Sequence, residues 1–389
     1  MNFYQALNMI QVAKQDTKLI DLSAGDPHIP SEVKIFIRNT LEKMSWKEEI
    51  SRITSYSEYD GTFEFAAKFK INYKKKFNIS TAGYSFMVTP GAQAALYYLQ
   101  RLFEQKGRKI LFPVNFEYCG SYNAIENYKA SIDLTDFLSG NNDLEKQCLS
   151  KINWLEFSAV IISQPHNPTS VVWSIERLKV LSEYISKYNV FLVLDETSAL
   201  PFAPLTPDYN QVVTGYNVIH IYSFSKVGLA GERTGIVFAS DEVIFQTKEL
   251  QRKILIQTPK IGQLLAGNLI DFFSKNDQVA RSFFSIYRLR SKLCIEKLNE
   301  CHLIGEIIFP VVWGGGLFLW LKCKETFDQE KLLKNFLKNN IAIMPSSTLS
   351  VMPCAASVCA LRISLGGNFE KTIDAMKIFS NVLKDESRK

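Results

Sequence analysis

A lysine that follows directly on an apolar run costs free energy unless its charge is used or lost. Lys226 is such a residue: it stands in SFSKVGLAGERTG, residues 223–235, at the end of the run Val218–Ser223. Condensation of its amine with an aldehyde removes the ammonium and makes the side chain a covalent anchor and, later, a base. Ser223, Ser225 and Arg233 lie in the same segment. They supply two hydroxyls and a permanent cation, a set suited to a phosphate. On its own the segment also admits a plainer reading, a strand-end loop with a surface lysine, because short motifs mislead.

Four further segments add to this chemistry. In VTPGAQAAL, residues 88–96, a strand turns through Gly91 into a helix, and the free amides at Ala92 and Gln93 form an anion cradle. Asp195 closes the apolar stretch VFLVLDE, where a carboxylate must be paired. A protonated pyridine nitrogen satisfies it and keeps that ring an electron sink; a helix cap or a structural ion pair is the alternative. Glu196 beside it is expected to be exposed. In SQPHNPTS, residues 163–170, Asn167 precedes a proline in a turn that directs its amide into the strand-end crevice. His166 reads as an ordinary loop histidine rather than an acid–base group. In PVNFEYCGSY, residues 113–122, Tyr118 follows a strand and is placed either to stack on a planar ring or to fill the core. The five segments together describe one ligand, a phosphorylated pyridine aldehyde.

These residues need a frame. Short apolar strands are expected at Ser85–Thr89, Lys109–Val114, Ala159–Ser163, Val190–Asp195 and Val218–Ser223. Helices are expected at Ala92–Phe103, near 121–128 and at 174–188, the last capped by Ser174. Phe191–Leu194 is apolar throughout rather than alternating, as in strands covered on both faces. Repeated strand–helix–strand units predict a doubly wound α/β sheet, in which ligands collect at the carboxyl ends of the strands. Beyond residue 240 helical patterns cover 241–255 and much of 261–300. Strands follow at Leu317–Lys322, Ile341–Met344 and Ala360–Ser364, with a helix at Asp328–Asn339 and a closing helix from Phe369. That is an α+β lobe, and a long helix is expected to join the two.

The bulk properties narrow the class. A chain of 389 residues exceeds one small core and predicts two lobes of unequal size, or one large domain with a satellite. Its net charge of +6 suits anionic small molecules, but the chain lacks the dense basic run of a nucleic-acid binder. Lys74-Lys75-Lys76 reads as the solvated end of a helix. Seven scattered cysteines without a CxxC pair argue against a disulfide framework and a zinc site. No signal-peptide pattern opens the chain and no apolar run approaches the ~20 residues that span a bilayer, so a reducing cytoplasm is the expected location.

The order and spacing of Asn167, Asp195, Lys226 and Arg233 resemble the class I/II, fold-type-I aminotransferases, from about Leu22 to the end of the chain. Within that family, PVNFEYCGSY, the LPF after the aspartate and SFSKVGLAGERTG are most similar to valine–pyruvate aminotransferase-like members. The resemblance implies pyridoxal 5'-phosphate held by Lys226 as a Schiff base. It also implies a mostly parallel seven-stranded sheet sandwiched by helices, with a smaller α+β domain. The division it implies is an arm and part of the small domain at 1–45, a large cofactor domain at 46–270 and the small domain at 271–389. Tyr56 in YSEYDG resembles the tyrosine that reaches the neighbouring subunit's cofactor, which requires a homodimer. Gly25 in LSAGDP resembles the mobile substrate loop. Arg362 in ALRISLG resembles the clamp for the substrate α-carboxylate; read without the family it is an edge-strand arginine. Asn167 shares that substrate site.

Two departures stand out. The family's usual tyrosine three residues after the aspartate is here Ser198, too short for the same bond, for which Tyr222 is a candidate substitute. An arginine usual after the Tyr56 segment is here Ala66. The expected reaction is ping-pong amino transfer between a small or apolar α-amino acid and a 2-oxo acid. Ser198 motivates the alternative, a lyase, cyclase or replacement enzyme of the same fold acting on an unusual amino acid in specialised biosynthesis. A sensor half of a regulator would need a DNA-binding extension before residue 22, and a dehydrogenase would need G-x-G-x-x-G after the first strand; neither is found.

Overall fold

The computed structural model describes residues 1–387 except 16–17, 45–49, 52, 57–60, 126–128, 141–144, 208, 325–326 and 353–357. Its strands, in chain order, are β1 (Ile20–Asp21), β2 (Tyr84–Pro90), β3 (Lys109–Phe112), β4 (Lys129–Ser131), β5 (Phe157–Ser163), β6 (Phe191–Asp195) and β7 (Val218–Ser223). They continue with β8 (Thr234–Ser240), β9 (Ile308–Pro310), β10 (Phe318–Cys323), β11 (Ile341–Ala342), β12 (Met344–Pro345) and β13 (Ala360–Ser364).

The large sheet runs β2-β8-β7-β6-β5-β3-β4. β8 is antiparallel to both neighbours, and the remaining pairs are parallel. Every residue of β5 and β7 is buried, because helices cover both faces. On one face Ala95, Leu96 and Leu99 of the helix Ala92–Glu104 join Ile161, Val193 and Ile219. On the other, Leu178, Leu181 and Ile185 of the helix Ile175–Ser186 join Val160, Ile162 and Leu192. That second helix starts where expected: Ser174 Oγ accepts from Arg177 N at 3.3 Å. The family's α/β architecture is thus the observed one.

Four strands lie outside the sequence expectation, the short β1 and β9 and, in the large sheet, β4 and β8. β4 has three residues, too few to show a pattern. β8 follows the Lys226 segment with no helix between, so strand–helix alternation passes over it. The helix expected near 121–128 is also corrected. A single 3₁₀ turn, Cys119–Ser121, and further turns occupy its start, since Gly120 and Asn123 favour turns over helix, and 126–128 lie outside the described residues. Lys74–Lys76 do end a helix, Phe63–Phe77, exposed beside a left-handed Asn78.

The smaller sheet is antiparallel, in the order β12-β13-β10-β9. The helices Asp277–Glu300 and Phe369–Ser387 pack against each other beside it. β13 is an interior strand, so Arg362 is not the edge residue that its local sequence suggests. Early and late segments meet here: β1 pairs in parallel with β11, and Ser364 N donates to Leu22 O at 2.7 Å. That pairing carries residues 21–28 to the open end of the large sheet. Among the described residues, no helix is long and apolar enough to cross a membrane.

Candidate active site

The carboxyl ends of β5, β6 and β7 open on a cavity of about 580 Å³. Its lining includes Gly25, Ala92, Gln93, Tyr118, Asn167, Asp195, Ser198, Ser223, Ser225, Lys226, Arg233 and Arg362, nearly the whole predicted set. Lys226 is partly buried on a one-turn 3₁₀ segment, Ser225–Val227, after β7. Burial, reinforced by the Arg362 and Arg233 charges and opposed by Asp26 and Asp195, pulls its amine down to about 8. Its Nζ donates to Gly25 O at 2.6 Å. The surface-lysine alternative is therefore excluded.

One end of the cavity is built for an anion. The helix Ala92–Glu104 has no side-chain cap, so its first amides stay available. Ser223 Oγ donates to Ser225 Oγ at 3.0 Å, and Arg233 Nη1 lies 3.5 Å from the same Ser225 oxygen. Arg233 itself has φ +51°, a conformation costing an L-residue roughly 1–2 kcal/mol, which the turn imposes on the residue that aims the guanidinium. Gly91, at φ +83°, is the only type that fits opposite: a Cβ there runs into the Arg233 guanidinium.

At the end of β6, Asp195 is buried, and its Oδ1 accepts from Thr197 N at 3.1 Å and Thr197 Oγ1 at 2.6 Å. Burial holds its carboxyl above the usual range. No cation pairs with it among the described residues, which leaves Oδ2 for a ligand's N–H. Glu196, expected to be exposed, is buried instead. Successive strand residues face opposite ways, so Glu196 enters the core, where His220 Nδ1 lies at 2.5 Å and Tyr209 Oη donates to it. The same alternation removes Tyr222 as the Ser198 substitute: Ser223 faces the cavity, while Tyr222 lies in an aromatic cluster with its hydroxyl 3.1 Å from that of Tyr73. His166 is a structural brace. Its ring sits between Thr169 Oγ1 at 2.6 Å and Phe116 O at 2.9 Å, and burial pulls it down to about 3.

The opposite wall is assembled from distant segments. Arg362 is buried, stacks 4.0 Å over the Phe318 ring and donates to Asn167 Oδ1 at 2.9 Å and Ser23 O at 2.8 Å. Its Nε has no partner among the described residues. Asp21 organises the loop between: Oδ1 accepts from Ser23 N at 2.9 Å, Ser23 Oγ at 2.5 Å and Ala24 N at 3.2 Å, and Oδ2 pairs with Lys14 at 2.8 Å. Burial raises Asp21, but Lys14 and Ser23 outweigh it and hold the carboxyl below its usual range. At the loop's far end His28 N donates to Tyr287 Oη at 2.7 Å, and a Cβ on Gly366 would collide with Asp26 O. Tyr56 is not in the cavity; it is 80% exposed. Residues 57–60 of its segment lie outside the described residues, and Ala66 sits on the Phe63–Phe77 helix, packed against the core.

Sequence reasoning missed Thr197, Asp21, Lys14, Phe318 and Glu117. Only Thr197 carried a local signal, a hydroxyl two residues after a carboxylate. Glu117 is fully buried and accepts from Tyr118 N at 2.8 Å, Ser163 Oγ at 2.6 Å and Ser163 N at 3.0 Å.

The donor set fits pyridoxal phosphate: an anion cradle, a buried carboxylate one strand away and an amine at the mouth of β7. A carboxylate fits the unpartnered Arg362 Nε. The chain is 24% identical over 348 residues to the valine–pyruvate aminotransferase of Escherichia coli (strain K12), covering 84% of this chain and 80% of that one. It is 23% identical over 296 residues to an aspartate aminotransferase of Sulfolobus acidocaldarius, covering 72% and 70%. A valine–pyruvate aminotransferase structure from Salmonella typhimurium LT2 superposes with TM-score 0.80 at 20% identity, over 98% of this chain and 99% of that one. The Pyrococcus horikoshii kynurenine aminotransferase in complex with PMP superposes with TM-score 0.82 at 19% identity, over 99% and 95%. The family model for aminotransferase class I and II matches residues 17–377. The chain therefore belongs to the class I and II aminotransferase family, whose cofactor is pyridoxal phosphate.

Proposed function

We propose that the protein moves an amino group between a small or apolar α-amino acid and a 2-oxo acid by a ping-pong mechanism, with Lys226 as its catalytic amine. The observation that carries this reading is one cavity holding both Lys226 and Arg362, the latter with a donor to spare. Pyridoxal phosphate, when bound, supplies an electron sink next to the substrate's α-carbon. Arg233, Ser223, Ser225 and the amides of Ala92 and Gln93, beside Gly91, would hold its phosphate. Tyr118 would lie against the ring, Asn167 would donate to the phenolic oxygen, and Asp195 would hold the proton on the ring nitrogen. Arg362 clamps the substrate α-carboxylate, and the Gly25 loop excludes water above it. Lys226 Nζ, within the same cavity, would take the substrate's α-proton and hold it for return during the transfer.

Leu7, Ile10, Phe318 and Met344 line the substrate side, and its remaining cation, Lys14, is already paired with Asp21; both facts support a small or apolar side chain. The exposure of Tyr56 supports a homodimer in which it reaches the partner subunit's phosphate. The arm at 1–45, the large domain at 46–270 and the small domain at 271–389 complete this reading, with the cytoplasm as the location. Adding single amino acids to the purified holoenzyme tests it. The visible absorbance converts to that of the amine form of the cofactor with an apolar donor, and Lys226→Ala does not respond. No conversion with any common amino acid rejects the proposal.

Ser198 favours one second reading. With Tyr222 turned into the core and Ser198 too short, neither would reach the phenolic oxygen, which suits elimination, cyclisation or replacement on an unusual amino acid. Free ammonia without a matching 2-oxo acid identifies that outcome.

A further inference from the structure

With Ser198 too short and Tyr222 turned into the core, the ring's face and phenolic oxygen would rest on Tyr118 and Asn167, beside Asp195 at its nitrogen. Both hang on one buried carboxyl. Glu117 Oε1 accepts from Tyr118 N at 2.8 Å and from Ser163 Oγ at 2.6 Å, and Oε2 accepts from Ser163 N at 3.0 Å. The same Ser163 oxygen accepts from Asn167 N at 2.8 Å. Asn167 Oδ1 in turn accepts from Arg362 at 2.9 Å. Ser163 is also the register partner of Asp195, whose backbone oxygen accepts from Gln164 N at 2.8 Å. One side chain thus ties together the exits of β3 and β5 beside the carboxylate at the end of β6.

The groups facing Glu117 do not neutralise it. His166 Nε2 is 3.7 Å away but donates to Phe116 O, and the neighbouring charge is the like-signed Asp195. A buried carboxyl held without a cation is costly to keep for packing alone. Resting on the cofactor-binding reading above, we infer that Glu117 is a positioning residue for the cofactor ring, setting Tyr118 directly and Asn167 through Ser163. Burial pushes its carboxyl up to about 8, with the hydrogen bonds from Ser163 and Tyr118 opposing that rise.

The test compares wild type with Glu117→Gln, Glu117→Ala and Ser163→Ala by pyridoxal phosphate titration, induced circular dichroism of the bound cofactor and the pH midpoint of its absorbance. Glu117→Ala is expected to raise the Kd about tenfold, halve the induced signal and move the midpoint by about one pH unit. Ser163→Ala is expected to do the same more weakly, with apo-protein Tm within about 2 °C of wild type. Should Glu117→Ala fail to fold, Ser163→Ala and Glu117→Gln decide the question. Wild-type Kd, induced signal and midpoint in the folded variants overturn the inference. A wild-type protein that takes up no pyridoxal phosphate overturns this reading together with the cofactor assignment, so the two failures are told apart.

Discussion

The wall of the cavity that faces the phosphate cradle and the wall that carries Arg362 answer their charges differently. On the first, residues 91–93, 195 and 223–233 project from the ends of a buried sheet, and uncapped amides and Asp195 Oδ2 stand ready for a ligand. On the second, main-chain oxygens answer the cations: Gly25 O takes Lys226, and Ser23 O takes Arg362. On this second wall a carboxylate would meet the spare Arg362 Nε, so a substitution there acts on substrate affinity first.

That contrast can be broken in four ways. The largest effect is expected from Lys226→Ala, about 10⁴-fold or more in kcat, with loss of the borohydride-stable link to the cofactor while its phosphate side still binds. Retention of that link in the variant would place the attachment elsewhere. Next is Arg362→Lys, which loses the planar fork: kcat/KM for the amino acid falls about 100-fold, while pyridoxal phosphate affinity stays within about twofold. An equal loss of cofactor affinity would erase the distinction between the walls.

Third is pH. Only the neutral amine attacks an aldehyde, and burial pulls Lys226 down to about 8. Uptake of pyridoxal phosphate by the apo-protein, followed by stopped-flow absorbance, therefore rises about tenfold per unit below pH 8 and levels above it. A rate still climbing at pH 10 would mean an ordinary solvated lysine. The smallest effect is expected from Asp21→Asn, which weakens the Lys14 pair and the bonds to Ser23 and Ala24. KM for the amino acid rises about fivefold with kcat little changed, and steady-state kinetics separates the two.

Legibility follows the same division. Asp195 and Lys226 stand at or just beyond strand ends marked by uninterrupted apolar runs, and all eight expected strand segments lie at or near observed strands, five in the large sheet and three after residue 310. Glu196 and Tyr222 were misjudged although each adjoins a correctly placed residue. The face a strand-end residue takes depends on which layer covers it, and Tyr209, His220 and Tyr73 come from elsewhere. Glu117 stood in a motif already singled out, but nothing local told that its carboxyl turns inward to Ser163, 46 residues on.

By itself the amino-acid order determined the parallel-sheet class, the family and most of the residues that line the cavity, because those residues share single loops with the strands that aim them. Tertiary structure alone decided that Arg362 sits on an interior strand against Phe318 and Asn167, that the 21–28 loop reaches Lys226, and that Glu117 has no Lys or Arg paired with it among the described residues. Those are pairings across tens to hundreds of residues. Their free energy exists only once β1 has joined β11 and the small sheet has closed against the large one.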